Sequence, residues 1–170
     1  MASRPILASS CAVATTAAEA RFRVDILPRT SWRAARVIAL DPTAGAVLDR
    51  VAEQAWNGAR FFGLDGGAGP GDGDALDMAL FTPDGRPTPL SAELTDADLV
   101  VMVAANDDGA VAAAAIGTAA SLRGIMTAGV ILDAGPHTDA VASALRPYAR
   151  VLLITRDEYD VVEVLRALRA

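Results

Sequence analysis

Nine residues of types that commonly hold small ligands follow apolar runs of the sequence, at places where strands of a sheet would end. They are Asp41, Thr43, Gly45, Asn106, Asp107, Asp108, Gly109, His137 and Arg156. In parallel sheets, ligands bind outside the carboxyl ends of the strands, so these residues form a candidate binding rim. We class all nine as candidate ligand-binding or cofactor-binding residues. We predict no specific cofactor and assign no catalytic residue and no metal ligand.

The loop at residues 106–109, Asn-Asp-Asp-Gly, precedes an alanine-rich run with helical character. The N-terminus of a helix attracts anions through its free N–H groups and its dipole. Here Asp107 or Asp108 can accept those hydrogen bonds and cap the helix from within. A phosphate group would then meet like charge, so the loop predicts a self-capped helix.

The single histidine, His137, follows a predicted strand and could serve as a general base if Asp133 or Asp139 oriented it. A lone histidine at the start of a helix is more often a solvated surface residue, and we favour that interpretation. Four acids at the same rim could converge on Mg²⁺ or an amine: Asp107, Asp108, Asp133 and Asp157. Capping and solvation explain each of them, so no metal site is predicted.

Strands and helices alternate along most of the chain. Apolar runs of strand length occupy residues 36–41, 60–64, 76–81, 99–105, 126–133 and 150–155. Helical spacing of apolar residues, or an alanine-rich composition, marks residues 47–55, 106–124, 139–146 and 157–169. This alternation predicts an α/β fold, a three-layer, doubly wound and mainly parallel sheet of Rossmann type with about six strands.

The same pattern divides the chain into two parts. Residues 1–34 form a basic arm that we expect to be partly flexible, and residues 35–170 form a single Rossmann-like domain. Residues 65–74, with five glycines, are predicted to be a flexible loop. Residues 76–81 alternate in polarity and precede a Pro-Asp-Gly turn, which predicts a strand at the edge of the sheet.

Composition excludes several classes of function. Residues 1–36 carry six Arg and two acids, whereas residues 37–170 carry nine Arg and nineteen acids. An acidic folded part repels nucleic acid, so we do not expect nucleic acid as a partner. One cysteine, Cys11, and one histidine cannot form an internal disulfide or a closed zinc site. No apolar run approaches the ~20 residues of a membrane-spanning helix, so we expect a soluble, cytoplasmic protein without a membrane partner.

Three stretches of the sequence carry a resemblance to a known family. They are residues 36–65 (RVIALDPTAGAVLDRVAEQAWNGARFFGLD), 97–132 (ADLVVMVAANDDGAVAAAAIGTAASLRGIMTAGVIL) and 149–168 (ARVLLITRDEYDVVEVLRAL). In spacing and apolar pattern they resemble the FtsZ/tubulin GTPase family: its opening strand, helix and strand, its phosphate loop with flanking elements, and its sixth strand with the start of the central helix. The resemblance implies a Rossmann-like GTPase domain with nucleotide loops at residues 40–45 and 106–112.

Both loops depart from the family's pattern. The first, Leu-Asp-Pro-Thr-Ala-Gly, keeps one expected glycine, Gly45, which largely blocks close approach of the backbone to a nucleotide. The second, Asn-Asp-Asp-Gly-Ala-Val-Ala, stands where the family has a GGGTGTG-type phosphate loop. The resemblance also implies that hydrolysis needs an acidic loop after the central helix, and the sequence ends at Ala170 before one. These departures predict a degenerate relative that does not hydrolyse GTP.

We therefore expect a non-catalytic module that acts in protein interaction or regulation, with a protein partner or self-association through a sheet edge or helix face. Two alternatives stay open. The first is a protein that still binds GTP or another purine nucleotide. The second is a small-molecule enzyme that uses the strand rim, because sugar-phosphate isomerase-type domains place a strand, a polar loop and an alanine-rich helix in this order. The loop at 106–109 lacks the Ser or Thr hydroxyls on which their phosphate sites rely.

Overall fold

A computed structural model describes residues 32–64, 78–132 and 137–170 of the 170-residue chain. The predicted arm up to residue 31, the glycine-rich loop and Asp133 lie outside the described residues. The described elements, in chain order, are β1 (Ala35–Ala39), α1 (Pro42–Ala52), β2 (Ala59–Leu64), β3 (Ala79–Phe81), β4 (Pro87–Pro89), α2 (Leu90–Thr95), β5 (Leu99–Ala104), a 3₁₀ turn (Asp107–Gly109), α3 (Ala110–Leu122), β6 (Met126–Leu132), α4 (Asp139–Leu145), β7 (Val151–Thr155) and α5 (Glu158–Ala167).

The strands of the described residues form one seven-stranded sheet in the order β4-β3-β2-β1-β5-β6-β7. The five strands from β2 to β7 in this order, β2-β1-β5-β6-β7, are parallel. The pair β3 and β4 forms an antiparallel hairpin that extends the sheet beyond β2. The predicted Rossmann-like α/β fold is confirmed, with a hairpin as its addition.

Helices cover both faces of the sheet. Helices α1 and α5 pack on one face, against strand residues such as Val37 and Val101. Helices α2, α3 and α4 pack on the other face, against Ile38 and Met102. Successive residues of a strand point to opposite faces, so a strand buried on both sides must be apolar throughout. This explains why residues of β5 form a continuous apolar run and why all of them are buried.

Small residues let α3 lie close to its neighbours. Its buried residues are mostly alanine and glycine. A Cβ atom added at Gly117 would lie 2.3 Å from a ring carbon of Tyr148, so the absence of a side chain makes room for that ring. The hydroxyl groups of Tyr148 and Thr118 form a hydrogen bond of 2.9 Å. The alanine-rich composition is therefore a packing requirement of this layer.

The prediction that residues 76–81 form the edge of the sheet is wrong. Strand β3 is internal, because β4 pairs with it on the outer side. Neither β4 nor the short helix α2 was predicted. The sequence of β4, Pro-Thr-Pro, argues against a strand, and two prolines are tolerated there because the outer side of an edge strand needs no N–H donors.

The turn of the hairpin was predicted correctly at residues 83–85. The backbone N–H of Gly85 donates to the carbonyl of Thr82 over 2.8 Å, and Gly85 has a φ of 79°. Glycine adopts this left-handed conformation without strain. The hydroxyl of Thr82 donates to Asp84 over 2.5 Å and lowers the pKa of that carboxyl, with smaller lowering contributions from its own backbone N–H and from Arg86.

Helix α1 ends earlier than its sequence predicts. Helical spacing was predicted as far as residue 55, but the helix ends at Ala52 with Glu53 as its C-cap. The indole N–H of Trp56 donates to the carbonyl of Val51 over 2.8 Å and so satisfies part of the last turn. Gly58 has a different role, since a Cβ atom there would lie 2.2 Å from the carbonyl oxygen of Arg33.

A buried ion cluster joins α2 to the central strand. Arg36 of β1 is 6% exposed and Glu93 of α2 is 4% exposed. The Nε atom of Arg36 lies 3.0 Å and the Nη1 atom of Arg60 lies 2.7 Å from the same carboxylate oxygen of Glu93. The hydroxyl of Thr88 donates to the other oxygen over 3.1 Å. Because every charge in the cluster has a partner, the helix is held in one position on the sheet.

We expect Glu93→Ala to lower the free energy of unfolding by about 3–5 kcal/mol, because it leaves the Arg36 guanidinium buried without a carboxylate. Urea denaturation of the purified chain would measure the loss. Glu163→Ala is the matched control: Glu163 pairs with Arg166 at 3.1 Å, but both side chains are more than 60% exposed. The control should change stability by less than about 1 kcal/mol. Equal losses in the two variants would contradict the importance of the buried cluster.

Candidate functional site

The candidate site lies where the direction of the chain along the sheet reverses. Strand β1 pairs with β2 on one side and with β5 on the other. The loops that follow β1 and β5 therefore leave the carboxyl ends of these two neighbouring strands in opposite directions. The helices that these loops enter, α1 and α3, cover opposite faces. Doubly wound folds bind their ligands in the crevice between such loops.

The side chain of Asp41 occupies this crevice. Asp41 is 2% exposed and stands at the N-cap of α1. Its Oδ1 atom accepts a hydrogen bond from the backbone N–H of Ala44 over 2.9 Å. Its Oδ2 atom accepts from the N–H of Ala105 over 2.6 Å and from that of Asn106 over 3.4 Å. The carboxylate thus lies at the electropositive end of α1, where a ligand's phosphate would otherwise bind.

The loop after β5 is likewise closed by its own side chains. Asn106 accepts a hydrogen bond from the N–H of Asp108 over 2.9 Å and caps the 3₁₀ turn. Asp107 accepts from the N–H of Val141 over 2.8 Å. Thr138, at the N-cap position of α4, makes no capping hydrogen bond with its side chain, so Asp107 supplies the cap from another loop. Asp108 is exposed. The prediction that Asp107 or Asp108 caps the alanine-rich helix is wrong: α3 has Gly109 at its N-cap without a side-chain hydrogen bond, Asn106 caps the local turn, and Asp107 caps α4.

The two predicted site glycines have different surroundings. A Cβ atom at Gly109 would lie 2.4 Å from the Cβ atom of Leu40 and 2.6 Å from its carbonyl oxygen. Gly109 therefore allows the start of α3 to pack directly on the end of β1. Gly45, in the first turn of α1, borders an open cleft, and a Cβ atom added there would meet no other atom within 4 Å.

The other predicted site residues lie on the surface. Thr43, His137 and Arg156 are exposed. Arg156 follows β7, which is three strands from β1 and so about 14 Å away at the usual strand spacing. Asp133, which could have oriented His137, lies outside the described residues. The structure therefore gathers Asp41 and the loop at 106–109 around one crevice, with Thr43 in the adjoining first turn of α1.

A cleft of about 350 Å³ opens beside the crevice, between α1 and the ends of β2 and β3. The sequence pattern alone does not reveal it. Its lining is mainly aromatic and aliphatic, with one carboxylate and one hydroxyl: Gly45, Leu48, Asp49, Phe61, Phe62, Gly63, Leu64, Phe81, Thr82 and Pro83. Three of the four phenylalanines of the chain border it. Phe61 and Phe62 are consecutive residues of β2 and belong to the cores on opposite faces of the sheet, while Phe81 is brought beside them by the pairing of β2 with β3.

The free edge at β7 is a second feature that the sequence pattern does not reveal. That pattern placed the sheet edge at residues 76–81, whereas β7 is one edge of the sheet that the described strands form. Val151 and Ile154 of this strand are 41% and 46% exposed, and its other three residues are partly exposed. The sequence signal for this strand is an uninterrupted apolar run, and a central strand shows the same signal.

The described residues contain neither a group of side chains that could hold a metal ion nor a helix that could cross a membrane. There, no three histidine, cysteine, aspartate or glutamate side chains are grouped closely enough to hold a metal ion. None of the described helices is both long enough and apolar enough to cross a membrane.

Comparisons with known proteins do not identify a relative. No model of a protein family matches the chain, and no curated protein sequence matches it. The resemblance to the FtsZ/tubulin family therefore stays a prediction from sequence patterns.

We expect Asp41→Asn to lower the free energy of unfolding by about 1–3 kcal/mol, because an amide offers one acceptor oxygen where two are used. Its NH₂ group would face a backbone N–H donor. Asp157→Asn is the matched control, since Asp157 caps α5 through one oxygen that accepts from Tyr159 over 2.9 Å. Asparagine caps helices as well as aspartate, so this control should change stability by less than about 0.5 kcal/mol. Urea denaturation would compare the two, and equal effects would argue against the bridging role of Asp41.

Proposed function

We propose that the chain is a non-catalytic module that binds another protein, built on a Rossmann-like domain whose nucleotide loops are degenerate. The observation that carries this proposal is the free apolar edge of β7. The partner would contribute an extended segment that pairs with β7 and continues the sheet, a common mode of peptide recognition.

The closed crevice argues against the nucleotide-binding alternative. The N–H groups of Ala44, Ala105 and Asn106 already donate to the carboxylate of Asp41. A phosphate group would have to displace this buried carboxylate or accept its negative charge at close range. Both changes are unfavourable, because the displaced group would leave its donors and the retained group would repel the ligand.

The two edges of the sheet differ in a way that favours binding at β7. Strand β4 has three residues, and prolines at both of its ends lack the N–H that a new neighbour would need. Strand β7 has five residues, Val-Leu-Leu-Ile-Thr, with no proline and no charged side chain. Proteins usually protect edges with prolines, charges or short strands. Here β4 carries such protection and β7 lacks it within the strand.

We expect GTP, GDP, ATP and NAD, each at millimolar concentration with Mg²⁺, to leave the thermal unfolding midpoint of the chain unchanged. A ligand that binds the native state raises the midpoint by mass action, by ~2.7 kcal/mol of stability at one hundred times its dissociation constant. A rise specific to GTP would restore the nucleotide-binding alternative and overturn our interpretation of the crevice.

The cleft beside α1 favours a second candidate function, the binding of a small ligand at the strand rim. Its apolar walls suit an aromatic or aliphatic body, and Asp49 suits a positively charged group. The same thermal assay distinguishes this function from the first, because an amine such as tyramine would raise the midpoint only if the cleft binds ligands.

Selection of displayed random peptides on the full-length chain tests the proposed interaction directly. We expect the selected peptides to bind the variant Ile154→Lys at least about tenfold more weakly, because a charged side chain at the edge opposes strand addition. Val111→Lys is the control, since Val111 is 65% exposed on α3 and does not belong to the edge. Circular dichroism would establish that both variants are folded. Peptides that bind Ile154→Lys as tightly as the unchanged chain would contradict the proposal.

A further inference from the structure

The charges around β7 specify the chemistry of the partner segment. We infer that β7 binds an extended segment that is apolar on both faces and carries Asp or Glu at the end that lies beside Arg150. This inference rests on the proposed function, because it names what the free edge binds.

The apolar requirement follows from the two faces of β7. Val151 pairs with Ala128, which belongs to the core beneath α1 and α5. Ile154 pairs with Ile131, which belongs to the core on the opposite face. Both Val151 and Ile154 are more than 40% exposed, so apolar surface is uncovered on each side of the sheet. A new strand beside β7 would cover both patches only if its successive residues were all apolar.

The charge requirement follows from the arginines that precede β7. Arg146 and Arg150 are exposed, and neither forms an ion pair in the part of the chain that the structure describes. At the other end of the strand the acids are already engaged. Asp157 caps α5, Asp160 accepts a hydrogen bond from Thr155, and Glu158 pairs with Arg50 at 2.5 Å. The exposed charges that precede β7 are therefore positive, and they lie at its amino end.

The same charges disfavour two other occupants. The β7 strand of a second copy, Val-Leu-Leu-Ile-Thr, contains no acidic residue that could lie beside Arg150. Residues 1–31 carry four arginines and two acids, so this segment of the chain has the same sign of charge as the arginines beside β7. A segment with an acidic end is complementary to the edge, as neither of these is.

Fluorescence anisotropy with four labelled synthetic peptides tests the inference on the full-length chain. The probes are Glu-Glu-Thr-Val-Ile-Val-Thr, its reversed form with the two glutamates at the carboxyl end, and the same two peptides with lysine in place of glutamate. We expect the better glutamate peptide to bind at least about tenfold more tightly than its lysine counterpart at low salt. The preference should shrink in 0.5 M NaCl, because salt screens exposed charges.

Variants of the arginine give the sharper comparison. Arg150→Glu should reverse the preference, and Arg150→Gln should reduce it without reversal. Arg86→Glu is the matched control, because it changes the net charge by the same amount in the hairpin turn at the opposite edge, where Arg86 is 83% exposed. It should leave the preference intact. A preference that Arg150→Glu does not alter, or that Arg86→Glu alters equally, would overturn the inference.

The outcomes separate this inference from the proposed function. If all four peptides bind equally and Ile154→Lys abolishes their binding, the edge is an interaction site but the acidic end is wrong. If no peptide binds, or binding persists in Ile154→Lys, both the inference and the peptide-binding edge fail. Size-exclusion chromatography with light scattering completes the test, since a dimer that Ile154→Lys dissociates would make a second copy the occupant and overturn the inference.

Discussion

The carboxylate of Asp41 joins the loop after β1 to the loop after β5 at the carboxyl end of the sheet. It caps α1 and also accepts hydrogen bonds from the backbone that leaves β5. Donors that would otherwise be buried without partners are thereby satisfied by the chain itself. The cost of this arrangement is the ligand crevice, because the site where doubly wound folds hold an anion already contains one. The capped start of α1 and the filled crevice thus have one physical cause in this domain.

Polar groups elsewhere in the domain follow the same logic. No buried side-chain nitrogen or oxygen of the described residues lacks a hydrogen-bond partner. Arg36 and Glu93 satisfy each other beneath α2, and Asp107 satisfies the start of α4. Groups that could still bind a partner are therefore found at the surface. At β7 apolar side chains and a backbone edge are exposed together, and single apolar side chains such as Leu122 and Tyr159 are exposed elsewhere.

Much of the candidate site could be anticipated as a set of residues, but their roles could not. A cap of the alanine-rich helix by Asp107 or Asp108 was predicted, because a carboxylate before a helix is a local pattern, but neither side chain caps that helix. That Asp107 caps α4 was not predictable, since its partner Val141 is 34 residues away. Gly109 was expected to approach a ligand and instead approaches Leu40. In each case the residue type indicated a hydrogen-bond acceptor or a close contact, and the tertiary structure decided which group is the partner.

The sequence by itself determined the class of fold. Apolar runs marked the parallel strands, helical periodicity placed the ends of the longer helices within five residues, and Pro-Asp-Gly located the hairpin turn, because each of these signals acts between near neighbours. Only the tertiary structure decided that β4 and β7 are the edges of the sheet, that Asp41 fills the crevice and that Val151 and Ile154 remain exposed. A central strand and a free edge strand can have the same apolar pattern. The difference lies in whether a neighbour is present, and that depends on contacts between distant parts of the chain.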